Sequence, residues 1–251
     1  MRDHGGVSDE VLPGGYVNQV IRVGNTIRRP PALRPELVRD LLRLFETHHW
    51  PAAPRFLGVD DTGRDMLSYV DGHVAWEPVQ PPGVWSDASL VRIAQLVRQF
   101  HDLTADSPLA QGEEVVCHND LSPRNTVYRD VGAGLRPVAI IDWDVAAPGQ
   151  RIHDVAHVCW QFVNLGPAIT DVQVAGHRIG LIADAYELDD RPLLIETIVW
   201  WQDRCWRGIA AAADAGDPAM SRLRDLGAVD EVRDAHDWTQ QHRGVLEHIL
   251  R

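Results

Sequence analysis

A chain of 251 residues, 45% hydrophobic and 24% charged, has ordinary globular composition; it suits one compact two-lobed body and is short for two full domains. Its formal net charge of −12 argues against nucleic acid or an anionic membrane as partner and favours a cationic one. No apolar run reaches a transmembrane length, the polar start MRDHGGVSDE has no signal core, and three widely spaced cysteines (Cys117, Cys159, Cys205) read as small buried hydrophobes, so a reducing cytoplasm is expected.

All 24 basic residues are arginine, so any task usual for lysine falls to arginine or stays empty. Residues 1–13 read as a loose leader. Two β-rich runs, Val17–Val23 and Thr26–Arg29, flank Gly24-Asn25 and predict a hairpin. Leu37, Val38, Leu41, Leu42 and Phe45 then recur with helical spacing over Pro35–Glu46. Phe56–Val59 and Met66–Val70 are short strands around the turn Asp60–Gly63. Gly72–Trp85, rich in Pro and Gly, reads as a linker. Ser86 caps a helix carrying Leu90, Ile93, Leu96, Val97 and Phe100 on one face. A strand over Pro137–Ile141 follows, and from Asp154 onward helices are expected over 154–164, 171–187, 191–213 and 229–250. The fold class is therefore α+β: a small β-rich N-terminal lobe over residues 1–71 and a mainly helical C-terminal lobe over 72–251.

The stretch VVCHNDLSPRN, Val115–Asn125, contains His118-x-Asp120-x-x-x-x-Asn125, the spacing of a kinase catalytic loop. There the Asp accepts the proton of an attacking hydroxyl and the Asn binds a metal. Asp142 stands seventeen residues after Asn125, at the end of the apolar run Val138–Ile141. If Thr126–Arg129 and Val138–Ile141 pair antiparallel, Asn125 and Asp142 reach the same end of one hairpin. Oxygen ligands so placed suit Mg2+, with nucleotide phosphates completing its shell.

With VVCHNDLSPRN, VAIIDWD and PGQRIHDVAHV in hand, the chain resembles the aminoglycoside phosphotransferase and choline kinase-like family, relatives of the protein kinases, from Gly14 to about residue 210. The hairpin GGYVNQVIRVG and the segments PRFLG and MLSYVDG match more loosely. The resemblance implies a two-lobed protein kinase-like fold. It implies transfer of the γ-phosphate of ATP or GTP to a hydroxyl of a small, cationic acceptor, with an aminoglycoside-like antibiotic foremost. It gives Asp120 the role of catalytic base and makes Asn125 and Asp142 the magnesium ligands. Asp154 would brace the catalytic loop, and His118 would pack beneath the metal-binding segment. Ser68, Tyr69 and Val70 would meet the purine at the hinge, and Gly14–Asn18, Gly15 among them, would cover the phosphates. Kinases grip the α- and β-phosphates with a lysine on the third strand, paired to a helix glutamate. Here Arg28 is the expected replacement, Val38 falls where the glutamate belongs, and Glu36 or Asp40 are its substitutes. A metabolic kinase of an amino alcohol, sugar or amino acid, and a non-catalytic immunity or binding protein on the same scaffold, are the alternatives.

His153-Asp154-x-x-His157 resembles a zinc-protease signature with Asp for Glu. The shorter acid reaches an attacking water less well and no third ligand is evident, so a helix start packed under the catalytic loop is expected instead. Trp200, Trp201 and Trp206 could stack on a ring substrate, with core packing the commoner use. Asp189, Asp190, Glu196, Asp203, Asp214 and Asp217 read as a solvated face from which one or two could meet substrate amines.

Overall fold

The computed structural model describes residues 10–12 and 20–251. The segment Gly14–Asn18 assigned to the phosphates, with Gly15, lies outside the described residues, as does the start of the Val17–Val23 run.

The small lobe is an antiparallel sheet in the order β1-β2-β3-β5-β4, formed by β1 (Glu10–Val11), β2 (Ile21–Val23), β3 (Thr26–Arg29), β4 (Phe56–Val59) and β5 (Asp65–Ser68). The expected Gly24-Asn25 turn joins β2 to β3, with Gly24 at φ 61°. Helix α1 (Pro35–Thr47) starts on Pro35, which loses no hydrogen bond in the first turn. It buries Val38, Leu41, Leu42 and Phe45, four of the five residues its periodicity singled out.

Gly72–Trp85 is more than a linker. It contains β6 (His73–Val74), which pairs with β8 (Thr126–Asp130), and β8 pairs in turn with β9 (Leu135–Ile140). Gly72 makes this possible: at φ 148° a Cβ would lie 2.5 Å from Val127 Cγ1 and 2.6 Å from the Tyr128 carbonyl. A two-residue strand in a Pro-rich stretch leaves no period to read, which is why the sequence hid it.

The large lobe continues with α2 (Asp87–Ala105), capped by Ser86 as expected, then β7 (Val115–Cys117) paired with β10 (Ala147–Gly149). Helices α3 (Arg151–Val163), α4 (Val172–Tyr186), α5 (Leu194–Asp214), α6 (Pro218–Asp225) and α7 (Ala228–Ile249) complete it. Only α6 falls outside the helices predicted from the sequence; its eight residues bury none of their own. The core runs unbroken from α1 through α2, β8 and β9 into α3, α4 and α5. Trp143 lies near its middle, its ring 5.1 Å from those of Phe45 and Phe100 and 4.6 Å from that of His118. One aromatic cluster thus ties the small-lobe helix to the loop that begins at His118. Cys117 and Cys159 are buried and all three cysteines are free thiols. No helix among the described residues is long and apolar enough to cross a membrane.

Candidate active site

Asp120 and Asn125 lie on the loop between β7 and β8. A 3-10 turn, Pro123–Asn125, delivers Asn125 to the first residue of β8. β8 and β9 pair with Thr126 opposite Ile140, and the Ile141 amide donates to the Asn125 carbonyl at 2.9 Å. That bond fastens Asn125 and Asp142 to one end of the hairpin, the geometry the sequence predicted. Asp142 then turns into the left-handed region at φ 65°, which ends the strand and re-aims the chain.

The Asn125 amide nitrogen donates to Asp120 Oδ2 at 2.7 Å and to the Asp120 carbonyl at 2.8 Å. Its own amide oxygen is left as the hard donor. Asp120 is solvent-accessible on one side yet walled in by protein on its others. That desolvation, with the negative charge of Asp142 added, pushes its carboxyl up to about 7 against the opposing Asn125 hydrogen bond. A carboxylate poised near neutrality, beside further oxygen donors, can accept a hydroxyl proton. The oxygens of Asn125 and Asp142 form a donor set fit for magnesium.

The loop is held from below by α3. Asp154 Oδ2 accepts the His118 amide at 2.7 Å, and Oδ1 accepts the Asn119 amide at 2.9 Å. Burial opposes the Asp154 charge, but hydrogen bonds from His101 and from the His118 backbone outweigh it and hold the carboxyl below the usual range. His101 Nε2 lies 3.1 Å from Asp154 Oδ2, its Nδ1 is 2.7 Å from the Tyr186 hydroxyl, and Arg151 donates to that hydroxyl at 3.3 Å. A continuous chain of bonds therefore runs from Arg151 through Tyr186, His101 and Asp154 to the loop that carries Asp120. His118 Nδ1 accepts the Asp120 amide at 3.2 Å, which leaves Nε2 to donate to the Ile141 carbonyl at 3.0 Å. One neutral imidazole thereby couples the Asp120 segment to the Asp142 segment. The zinc alternative fails on the same accounting: Asp154 is spent on amides, and His157 Nδ1 accepts the Leu121 amide at 3.0 Å. Among the described residues, His101, Cys117 and Asp154 come close enough to share an ion. Each already holds a hydrogen-bond partner, since Cys117 Sγ donates to the Gln150 carbonyl.

The arginine facing the acidic cluster is Arg29, the residue after the Arg28 expected at the phosphates. Arg28 bonds Thr26 Oγ1 at 2.7 Å and approaches Asp60 at 3.9 Å. Arg29 Nη2 donates to Asp142 Oδ1 at 3.0 Å and also reaches Asp144. The physical cause is strand alternation: Ile27 and Arg29 stand opposite Leu67 and Asp65, on the sheet face turned toward α1. The partners on that face are also unexpected. Neither Glu36 nor Asp40 pairs with Arg29. Instead Arg39 of α1 grips Asp65 Oδ1 through two nitrogens at 2.7 and 3.0 Å, with Glu36 on its outer side at 2.7 Å. The ion pair between α1 and the sheet is thus Arg39–Asp65, and it does not include Arg29.

At the hinge, the Ser68 amide donates to the Arg55 carbonyl and the Tyr69 amide to the Asn25 carbonyl, both at 2.9 Å. Of the three residues expected to meet the purine, Ser68 and Tyr69 thus have their N–H groups committed within the small lobe. Trp201 packs with its Nε1 on the His153 carbonyl at 2.9 Å, while Trp200 stacks on His153 at 5.2 Å and stays 44% exposed. Glu196, Asp203 and Asp214 pair with Arg243, Arg207 and Arg224, and Asp217 caps α6, so four of the six acids are occupied locally. Cys205 of α5 sits where the Asp120 charge, added to burial, raises its thiol.

A model of the phosphotransferase enzyme family matches residues 22–188, two thirds of the chain. The chain belongs to this phosphotransferase family. A trifolitoxin immunity protein of Rhizobium leguminosarum bv. trifolii is 27% identical over 97% of this chain and all of its own length. The kinase-like fold is shared with an ethanolamine kinase of Plasmodium vivax, at TM-score 0.65 and 10% identity over 93% of this chain and 81% of that one. It is also shared with the GDP complex of aminoglycoside 2'-phosphotransferase-IIIa, at TM-score 0.63 and 13% identity over 96% and 95%. A macrolide 2'-phosphotransferase of Brachybacterium faecium follows at TM-score 0.57 and 17% identity over 88% and 91%.

Proposed function

We propose that the chain is a small-molecule O-phosphotransferase that moves the γ-phosphate of ATP or GTP to a hydroxyl of an antimicrobial compound, an aminated, aminoglycoside-like one foremost, and so protects its host. The observation that carries this reading is the Asp120 carboxyl, raised to about 7 and bonded to Asn125 beside Asp142. Residues 1–71 would hold the nucleotide, with Val70 at the purine. Residues 72–251 would hold the acceptor between the catalytic loop and α5, where an acidic chain suits a cationic guest. Asp120 would accept the acceptor's hydroxyl proton while Asn125 keeps its carboxylate oriented. Magnesium held by Asn125 and Asp142 would supply charge neutralisation on the β- and γ-phosphates. The rest is positioning and electrostatics, since the transferring group is loosely bonded in the transition state.

A phosphate-transfer screen over aminoglycosides, macrolides and choline-like alcohols tests it. With an accepted substrate, Asp120→Ala should lower turnover about a hundredfold or more while ADP still binds. Near-normal turnover would reject the assignment. A second reading, immunity by sequestration without chemistry, is favoured by the named immunity relative and by the absence of any lysine. Protection assays in a sensitive host separate the two, because sequestration survives Asp120→Ala and phosphorylation does not.

A further inference from the structure

Arg29 has more donors than its partners use. Nη2 serves Asp142 at 3.0 Å and Asp144 as well, but Nε is buried with no hydrogen-bond partner, on a residue only 8% exposed. A buried guanidinium N–H left unpaired is costly, and its chemistry calls for an anion. Asp65, directly opposite on β5, is not that anion, because Arg39 holds it through two bonds. Asp142, meanwhile, is asked to serve two cations. A guanidinium on one of its oxygens and a divalent ion on the other would repel each other at close range.

We infer that Arg29 is a two-position cation: seated on Asp142 and Asp144 it stands in the divalent ion's electrostatic place, and drawn onto nucleotide phosphates it frees Asp142 for that ion, so that nucleotide and metal bind cooperatively. The inference rests on the phosphotransferase reading for the identity of both ligands. Arginine suits the role where lysine would not. Its planar fork spans two carboxylates at once and matches a phosphate equally well, whereas an ammonium is a single point of charge. An ion arriving alone must break a charge-assisted pair in a shielded site. A nucleotide offers the guanidinium a second anion, including a partner for Nε. Because linkage is reciprocal, whatever the nucleotide does for the metal the metal does for the nucleotide.

The test is Mn2+ binding to the full chain, followed by the electron paramagnetic resonance signal of free Mn2+ without nucleotide. Arg29→Gln should bind Mn2+ about tenfold or more tighter than the unaltered chain. ADP titrated calorimetrically in EDTA supplies the other half: the unaltered chain should bind it, and Arg29→Gln about tenfold or more weakly, since the guanidinium is then the site's remaining cation. Equality of variant and parent in either titration overturns the proposal. Should Arg29→Gln fail to fold by circular dichroism, Arg29→Lys replaces it, with the same directions and smaller changes expected. Neither readout involves turnover, so a missing acceptor would sink the phosphotransferase reading and leave this one standing.

Discussion

Asp120 is held against its own preference. Protein packed around it and the neighbouring Asp142 raise its carboxyl to about 7, so the native state binds a proton that the unfolded state releases near 3.8. Folding is therefore opposed increasingly from pH 4 to 7 and uniformly above. Asp120→Asn should raise the melting temperature by about 2 °C at pH 8, a modest figure because the group faces solvent, with the gain fading toward pH 4. In the parent chain, kcat/KM should fall as pH drops through an inflection at or below about 7, because the base must be unprotonated. Residue by residue, legibility followed locality. Asp120, Asn125 and Asp142 share one hairpin and could be read from spacing. That Arg29 faces the carboxylates had a signal in the sequence: in Thr26–Arg29 the apolar Ile27 marks the inward face, and Arg29 shares it. His101 and Tyr186 gave no signal, because each meets the site from a helix distant in sequence.

Among the elements, α3 and α4 anchor the loop that carries Asp120. Tyr186, at the end of α4, donates its hydroxyl to buried His101, which in turn braces Asp154. Tyr186→Phe leaves the His101 nitrogen without a partner and should cost about 1–3 kcal/mol in chemical denaturation. It should also lower kcat more than it raises KM, since the loop loses its anchor and not its groups. The packing of α4 on α7 offers a second check. A Cβ on Gly176 would collide with Ile249 Cδ1 and lie 3.3 Å from Ile249 Cβ. Gly176→Ala should destabilise the chain by about 1–2 kcal/mol despite alanine's better helix propensity, and adding Ile249→Ala should recover part of that loss. Long amphipathic helices such as α2 were legible because their apolar period repeats over several turns. β6 and β10, at two and three residues, were not, because their pairing partners lie far along the chain.

The molecule as a whole depends on histidines buried without charge. Burial lowers His101 and His118, and it lowers His157 to about 4. The unfolded chain protonates these rings below 6.5, so it binds more protons than the native state, and stability is lost as pH falls from 6.5 toward 4. At pH 5 His157 alone should account for on the order of 1–2 kcal/mol. Urea unfolding at pH 7 and pH 5 measures this, and His157→Gln should flatten the dependence while its amide oxygen still accepts from Leu121.

The sequence by itself determined the family, the α+β class and the trio Asp120, Asn125 and Asp142. Hydrophobic period and motif spacing are local quantities, and one short hairpin suffices to bring those three side chains together. Only the tertiary structure decided which arginine faces the carboxylates, that Arg39 of α1 and not Arg29 pairs with Asp65, and that a relay from Arg151 to Asp154 carries the loop. Each depends on which face of a strand or helix is buried against a partner far away in the chain, and no local pattern encodes that choice.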